Sequence, residues 1–190
     1  MSDPSDEHRQ TAPAAPAGGR LIDGTPPATP EDLLARLEAL GIAQTSVEHP
    51  PVFTVAEAKA LRGELPGAHI KNLFLRNKKG VMWLVTCLED RRIDLKDLGE
   101  RLGAGRLSFG SAERLMHYIG VPPGAVTPFA VVNDHGGAVT VALDRALLDH
   151  DPVNCHPLTN TRTTAIAARD LVRFLEAEGH PPQIIDFGEG

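Results

Sequence analysis

The clearest pattern of apolar and polar positions is a pair of strand-like segments, residues 69–76 and 81–88, joined by a polar turn. Successive strand residues point to opposite faces, so Ile70 lies on one face and Leu73 on the other. Apolar side chains on both faces indicate a strand that is covered on both sides. The intervening residues 77–80, Asn-Lys-Lys-Gly, are typical of a hairpin turn. The two segments therefore predict an antiparallel hairpin.

The rest of the chain divides into segments with helix or strand periodicity, bounded by capping and turn residues. Predicted helices cover residues 29–41, 54–63, 94–102, 111–119 and 168–178, and further predicted strands cover residues 45–48, 106–109, 138–143, 153–156 and 183–187. Residues 121–128 contain three prolines and predict a rigid loop. Because helices and strands are intermixed with several hairpin-length connections, we predict an α/β fold: one domain with a mixed, mostly antiparallel sheet flanked by helices, rather than a doubly wound parallel sheet.

Composition limits the domain organisation. Residues 1–28 are rich in Pro, Ala and Gly and lack a hydrophobic period, which is typical of a disordered tail, so we predict a tail over 1–28 and a domain over 29–190. A chain of 190 residues that is 42% hydrophobic can bury one good core. The net charge of -6 argues against a protein that coats nucleic acid through bulk charge, so any nucleic-acid contact would be local.

The same composition bears on the compartment. No run approaches the roughly 20 apolar residues that a membrane helix needs, so no membrane partner is expected. Cys87 and Cys155, without a secretory signal peptide, fit a reducing compartment, and we expect a cytoplasmic protein.

Several common chemistries have weak support. Cys155 and His156 are neighbours in a predicted strand and point to opposite faces, which disfavours a nucleophile and base pair. Cys87 lies in an apolar strand and is interpreted as a small core residue. The residues that could gather a metal lack a metal-site spacing, so we expect neither metal nor cofactor; they are His49, His150, Asp151, Cys155 and His156.

Two features remain as candidates for chemistry. Lys71 lies within a strand that reads as buried, where lysine is rare unless it is paired or functional. It is either a lysine whose ammonium reaches water at the end of the strand or an anion-binding or catalytic group at the mouth of a pocket. A locally basic region follows, and it is either a solvated hairpin tip or a phosphate contact; it comprises Arg76, Lys78, Lys79, Arg91, Arg92 and Lys96.

Three separated segments, residues 69–75, 124–130 and 154–160, resemble one family. They are similar to the lysine strand, the G-x-x-x-P loop and the histidine-proline segment of the YbaK family, the relatives of the editing domain of prolyl-tRNA synthetase. The match in order and spacing covers nearly all of the predicted domain. Within the family it most resembles the free-standing ProXp-ala branch, which removes alanine from mischarged alanyl-tRNA for proline.

The resemblance implies a trans-editing aminoacyl-tRNA deacylase that works without a metal. Lys71, Asn72 and His156 would be the catalytic residues: Lys71 would fix a phosphate or the ester, Asn72 would help to place the substrate, and His156 would orient substrate or water. The residues of the G-x-x-x-P loop would bind the aminoacyl end; they are Gly124, Ala125, Val126, Thr127 and Pro128. Arg76, Lys78 and Lys79 are the predicted tRNA contacts.

The implied partners are the acceptor end of mischarged tRNA for proline and, as a second partner, prolyl-tRNA synthetase, and we expect a monomer. Three functions stay open at this point. The first is the alanine-specific deacylase, and the second is a deacylase of the same family that hydrolyses cysteinyl-tRNA for proline or another mischarged tRNA. The third is a module that binds aminoacyl-tRNA or a synthetase without catalysis. The side chain accepted by the pocket, which decides between the first two, is not fixed by these motifs.

Overall fold

A computed structural model of the chain describes residues 19–51, 60 and 65–188. Its strands are β1 Gln44–Glu48, β2 Ala68–Asn77, β3 Met82–Leu88, β4 Leu107–Phe109, β5 Val139–Asp144, β6 Val153–Cys155, β7 Arg162–Ile166 and β8 Gln183–Ile185. They form one sheet in the order β1-β7-β6-β2-β3-β5-β8, and β4 pairs with β2 beside this path. Four of the seven pairings are antiparallel: β1 with β7, β2 with β3, β2 with β4, and β6 with β7. The predicted mixed, mostly antiparallel α/β fold is confirmed.

Three of the four α-helices in the described part of the chain begin at capping side chains that the sequence identifies. The four are α1 Pro30–Ala39, α2 Leu95–Arg101, α3 Ala112–Ile119 and α4 Ala168–Ala177, and two 3-10 helices cover Pro128–Asn133 and Arg145–Asp149. Thr29 forms a capping box with Asp32, and the Asp94 and Ser111 side chains accept from backbone N–H groups of the first turns. Each of these oxygens satisfies a donor that the helix itself leaves without a partner.

Both faces of the sheet are covered, as the hairpin pattern predicts. The larger core lies on the face that carries Phe74 and Leu84, under α1, α3 and α4. The smaller core lies on the face that carries Leu75 and Val85, under α2 and the C-terminal segment. The central hairpin is thus enclosed from both sides.

The structure corrects the sequence predictions at two places. Strand β7 was not predicted, and it joins β1 to β6. Residues 19–28 belong to the folded domain rather than to a tail: Leu21 is buried, the Ile22 N–H donates to the His117 carbonyl at 2.8 Å, and the Ala28 N–H donates to the Asn133 side chain. Of the predicted helix 54–63, only residue 60 is among the described residues.

One edge of β2 is shared by two short strands. β6 pairs with its first residues, Ala68 and His69, and β4 pairs with its last residues, 75–77. β3 pairs along the opposite edge of β2. On the edge shared by β6 and β4, residues 70–73 have no strand partner within the described part of the chain. This interval, here called the β2 gap, contains Lys71 and Asn72.

None of the helices in residues 19–51 and 65–188 is long and apolar enough to cross a membrane.

Candidate active site at the β2 gap

The side chain of Asn72 joins the central hairpin to the G-x-x-x-P loop. Its amide nitrogen donates to the carbonyl of Val126 at 2.8 Å, and its amide oxygen accepts from the hydroxyl of Thr86 at 2.8 Å. Thr86 is directly opposite Asn72 in the β2–β3 register and is fully buried. With both amide ends engaged by the protein, Asn72 is placed to hold the loop rather than to move with a substrate.

The loop over residues 124–128 is anchored by buried side chains and has exposed atoms on its solvent side. The side chains of Ala125, Thr127 and Pro128 are buried, whereas Gly124 is exposed and Val126 is half-buried. Gly124 has φ +88°, a left-handed conformation that favours glycine. Of the five predicted substrate-binding residues, Gly124 and Val126 therefore present accessible atoms, and the other three anchor them.

The segment after β6 approaches the same loop. A Cβ atom on Gly124 would lie 3.9 Å from the side-chain nitrogen of Asn160. Leu158 has φ +62°, an uncommon value for a branched residue, and is largely buried in the larger core. The histidine-proline segment and the G-x-x-x-P loop thus come together at Asn160 and Gly124, which are 36 residues apart in sequence.

His156 has a defined orientation in this segment. Its Nδ1 lies 2.9 Å from the carbonyl oxygen of Arg162. A carbonyl can only accept, so the ring proton lies on Nδ1 and the accepting lone pair of the neutral ring lies on Nε2. Burial lowers the pKa of His156 below its ordinary value, although the Arg162 carbonyl acts in the opposite direction, and nearby His49 lowers it further. The neutral ring is therefore the form expected at neutral pH.

His49 directly follows β1 and lies beside the ring of His156. The rings of His49 and His156 lie 6.1 Å apart between centroids. The Nε2 of His49 contacts the hydroxyl of Thr163 on β7, and its Nδ1 contacts the Pro50 carbonyl. The unpredicted strand β7 therefore positions both histidines, through Thr163 and through Arg162.

Lys71 leaves the sheet on the face opposite Asn72. Its ammonium donates to the carbonyl of Arg91 in the turn after β3. The guanidinium of Arg91 in turn makes two hydrogen bonds to fully buried Asp144, at 3.0 and 3.3 Å. The same guanidinium donates to the Gly188 carbonyl at 2.9 Å. Lys71 is thus half-buried and fixed by a network that reaches β5 and the C-terminal segment.

Neither cysteine has the properties of a nucleophile. Cys87, directly opposite Lys71, is fully buried, and burial raises the pKa of its thiol to about 11, partly offset by Lys71 and Arg91. Burial alone raises the pKa of the Cys155 thiol as well. Both thiols remain protonated and pack as small apolar groups. Among the described residues, no group of three or more His, Cys, Asp or Glu side chains could hold a metal ion.

The predicted tRNA contacts lie at the far end of the hairpin. Arg76 is half-buried, and Lys78 and Lys79 are exposed in the turn. Arg76 is five residues beyond Lys71, roughly 16 Å along the strand. These cations do not line the β2 gap. Their contact with tRNA stays a prediction, and it would involve nucleotides away from the gap.

Sequence reasoning missed three residues that hold the site together: Thr86, the Arg91 carbonyl and Asp144. The sequence does contain a signal for Thr86, because a hairpin turn at residues 77–80 sets the register that places Thr86 opposite Asn72. In the structure, the Asn77 N–H donates to the Val81 carbonyl and closes this turn. No local signal connects Lys71 with Arg91 or Asp144, which come together only through the order of strands in the sheet.

Comparison with known proteins gives the family. The sequence profile described as "Aminoacyl-tRNA editing domain" matches residues 49–174. The chain is 42% identical over 161 residues to the "Prolyl-tRNA synthetase associated domain-containing protein 1" of Mus musculus, covering 82% of this chain and 95% of that protein. It is 37% identical over 155 residues to the "Prolyl-tRNA editing protein ProX" of Acetoanaerobium sticklandii, covering 81% of this chain and 94% of that protein.

A solved structure has the same fold. A crystal structure described as a candidate trans-editing enzyme for prolyl tRNA synthetase is 25% identical and superimposes with a TM-score of 0.65, covering 86% of this chain and 99% of that one. The resemblance indicated by the lysine strand, the G-x-x-x-P loop and the histidine-proline segment is confirmed, and the chain belongs to the aminoacyl-tRNA editing domain family.

Proposed function

We propose that this protein is a free-standing deacylase that hydrolyses the ester bond of mischarged aminoacyl-tRNA, with alanyl-tRNA for proline as its substrate. The observation that carries the proposal is the bridge from Asn72 to Val126, which seats an accessible loop beside the β2 gap. Membership of the aminoacyl-tRNA editing domain family supports the reaction class. The same proposal places the protein in the cytoplasm, where its partners are the acceptor end of the tRNA and, as a second partner, prolyl-tRNA synthetase.

The site's chemistry suits an ester that is already activated. Hydrolysis of an aminoacyl ester needs a water held in line with the carbonyl and donors for the developing oxyanion. In the proposal, the backbone around Gly124 and Val126 cradles the aminoacyl end. The accepting Nε2 of neutral His156 orients the attacking water or a ribose hydroxyl. Lys71 holds a phosphate or the ester through its ammonium.

Selectivity in this proposal comes from size. A pocket that fits alanine excludes larger side chains by steric clash, but it rejects smaller ones weakly, because one methylene is worth about 1 to 3 kcal/mol. Alanyl-tRNA should therefore react faster than prolyl-tRNA by at least about 10-fold. Glycyl and seryl esters are the expected side substrates.

Single-turnover hydrolysis of labelled alanyl-, cysteinyl-, seryl- and prolyl-tRNA for proline tests the proposal with one protein preparation. Fast hydrolysis of the alanyl ester and slow hydrolysis of the prolyl ester is the expected result. Preference for the cysteinyl ester would assign the second function that the sequence leaves open. No hydrolysis of any ester, together with tight tRNA binding, would leave a binding module and refute the proposed reaction.

A further inference from the structure

Phe109 has an unusual position among the aromatic residues of residues 19–51 and 65–188. Its side chain is on β4 and is 63% exposed. The other Phe, Trp and Tyr residues in these ranges are buried or half-buried. A single exposed apolar side chain is ordinary on a protein surface. Its surroundings therefore decide whether the ring has a role.

The backbone presents the Phe109 ring on a rigid support. Phe109 is paired with Leu75 of the central strand β2, and the next residue, Gly110, donates its N–H to the Phe74 carbonyl at 2.9 Å. A Cβ on Gly110 would lie 2.4 Å from the Phe74 ring, so only glycine fits there. Ser111 then caps α3. An aromatic ring on a fixed strand costs little conformational entropy when it binds a flat ligand.

The two chain segments that meet at β4 carry basic residues and no acidic ones. Segments 76–80 and 104–112 contain four cationic residues and no carboxylate, in a chain whose net charge is -6. The four are Arg76, Lys78, Lys79 and Arg106. The two segments are adjacent, since β4 pairs with β2 and the Asn77 side chain donates to the Ala104 carbonyl at 3.2 Å. None of the four cations forms a salt bridge with another described residue.

The ring also shares a face with Lys71. Leu75 and Phe109 are directly opposite and lie on one face, and Lys71 lies on that face two side-chain rows along β2. Four strand residues correspond to about 13 Å. The face itself is covered by the smaller core at Leu75, so a nucleic acid would follow the edge of β2 that leads from β4 to the β2 gap. Stacked nucleotides rise about 3.4 Å each, so about four unpaired nucleotides span this interval.

We propose that Phe109 is a stacking platform for an unpaired base in the acceptor end of the tRNA, and that Arg76, Lys78, Lys79 and Arg106 contact its phosphates. The charge selects a polyanion, and an exposed ring on an edge strand selects unpaired bases over a duplex, whose bases are already stacked. The inference rests on the proposed function for the identity of the nucleic acid. The loop and the three basic residues Arg76, Lys78 and Lys79 are already part of the predicted site. The inference adds a base contact at Phe109 and a phosphate contact at Arg106.

The test measures the Kd of the full chain for uncharged, labelled tRNA for proline, so that it does not depend on hydrolysis. Phe109→Ala and Phe109→Leu should each weaken binding by about 10-fold, and Phe109→Tyr should keep it within about 2-fold, because every base has a face that stacks on an aromatic ring. Ile22→Ala is the control, since Ile22 is 67% exposed and apolar but lies outside this surface. The same proteins are compared on a tRNA that lacks its unpaired terminal nucleotides.

On the shortened tRNA, the Phe109 variants should bind as the unchanged protein does. Equal binding of Phe109→Ala and Ile22→Ala to the full tRNA would overturn the inference, as would a loss that persists on the shortened tRNA. Arg106→Gln should reduce the slope of log Kd against log salt by about one, and an unchanged slope would overturn the phosphate contact. If the chain binds tRNA through Phe109 but hydrolyses no ester, only the proposed function fails.

Discussion

Lys71 and Asn72 are neighbours in β2, and their side chains leave the sheet on opposite faces. Asn72 reaches the loop at Val126, while Lys71 reaches the Arg91 carbonyl. These two residues of the lysine strand therefore have separable tasks. Asn72 is interpreted as a positioning residue for the loop, and Lys71 supplies a charge at the gap in the sheet.

Asn72→Asp tests the positioning role with almost no change in shape. The carboxylate still accepts from Thr86 but cannot donate to the Val126 carbonyl, and it places negative charge against that oxygen. We expect a lower kcat with a smaller change in KM, because the loop is displaced at the reacting end. Val126 is half-buried, so loss of this one hydrogen bond should cost about 0.5 to 1.5 kcal/mol of stability.

Thr86→Val is the matched variant for Asn72, because it removes the hydroxyl that orients the amide and leaves the donor to Val126 in place. Its kcat should fall less than that of Asn72→Asp. Wild-type kinetics in folded Asn72→Asp, established by single-turnover assays and thermal melting, would show that the loop does not depend on this bridge.

Lys71→Ala should reduce deacylation strongly. Loss of a charge-assisted contact to a phosphate or ester in a partly desolvated site costs on the order of 2 to 4 kcal/mol, which is roughly 30-fold to 1000-fold in rate. Lys71→Arg should not restore full activity, since a planar fork does not replace a compact ammonium. Arg169→Ala is the control, because Arg169 is an exposed cation on α4 outside the locally basic region. An unchanged rate in folded Lys71→Ala would leave Lys71 with the structural contact to Arg91 alone.

The pH dependence of the rate should report His156. Burial lowers the pKa of His156 from the ordinary value of 6.5, so its Nε2 remains an acceptor throughout the neutral range and is lost only as pH falls below that value. Single-turnover rates, corrected for spontaneous ester hydrolysis, should therefore fall on the acid side of about pH 6.5. His156→Ala should abolish this acid limb as well as lower the rate. An acid limb that persists in His156→Ala would assign it to another group.

The sequence predicts local structure well where local chemistry decides it. Thr29, Asp94 and Ser111 mark helix starts because their side-chain oxygens satisfy nearby N–H groups. The period of two also correctly separates the faces of Lys71 and Asn72. These features depend on residues within one turn or one strand.

Features that depend on distant pairing could not be predicted. Strand β7 contains consecutive threonines and lacks a clear apolar period, and it is a strand because β1 and β6 pair with its two edges. Likewise Leu21 lies in a segment whose composition indicates disorder, yet it is buried in the fold. The contacts of Lys71 and Asn72 lie 20 and 54 residues away in sequence, beyond any local pattern.

Leu21→Ala tests whether residues 19–28 belong to the folded domain. Leu21 is 3% exposed, so truncation should create a cavity and lower the free energy of unfolding by about 2 to 4 kcal/mol. Its neighbour Ile22 is 67% exposed, and Ile22→Ala should change stability little. Urea unfolding of the two variants gives the comparison. Equal midpoints for both would restore the boundary after residue 28.

His180 and Asp134 form a buried hydrogen-bonded pair that should make stability depend on pH. The Nε2 of His180 lies 2.9 Å from a carboxylate oxygen of Asp134, and both side chains are less than 5% exposed. The hydrogen bond to Asp134 raises the pKa of His180, against the effect of burial. Burial raises the pKa of Asp134, but hydrogen bonds from His180 and from the N–H groups of Ala138 and Val139 outweigh it and lower that pKa.

The two pKa shifts determine how the stability of the fold changes with pH. His180 contributes stability in full below its unfolded value of 6.5, and the contribution is lost as pH rises through its higher folded pKa. Asp134 contributes above its unfolded value of 3.8 and loses the contribution as pH falls through its lower folded pKa. The pair therefore stabilises the fold most between pH 3.8 and pH 6.5, the two unfolded values. When the pH is raised from neutral, the contribution of His180 is lost, while that of Asp134 is kept.

His180→Gln removes the charge while its amide can still donate to Asp134. Near pH 6 the variant should unfold at a lower temperature than the unchanged protein, by the equivalent of about 3 kcal/mol, because it leaves Asp134 charged in a buried place. The difference in Tm should shrink steadily toward about pH 9, as His180 of the unchanged protein loses its proton. The control is His135→Gln, since His135 forms a similar 2.7 Å contact with Asp23 at an exposed site and should change Tm little at any pH. A Tm difference for His180→Gln that is constant across this range would mean that His180 is neutral in the folded protein.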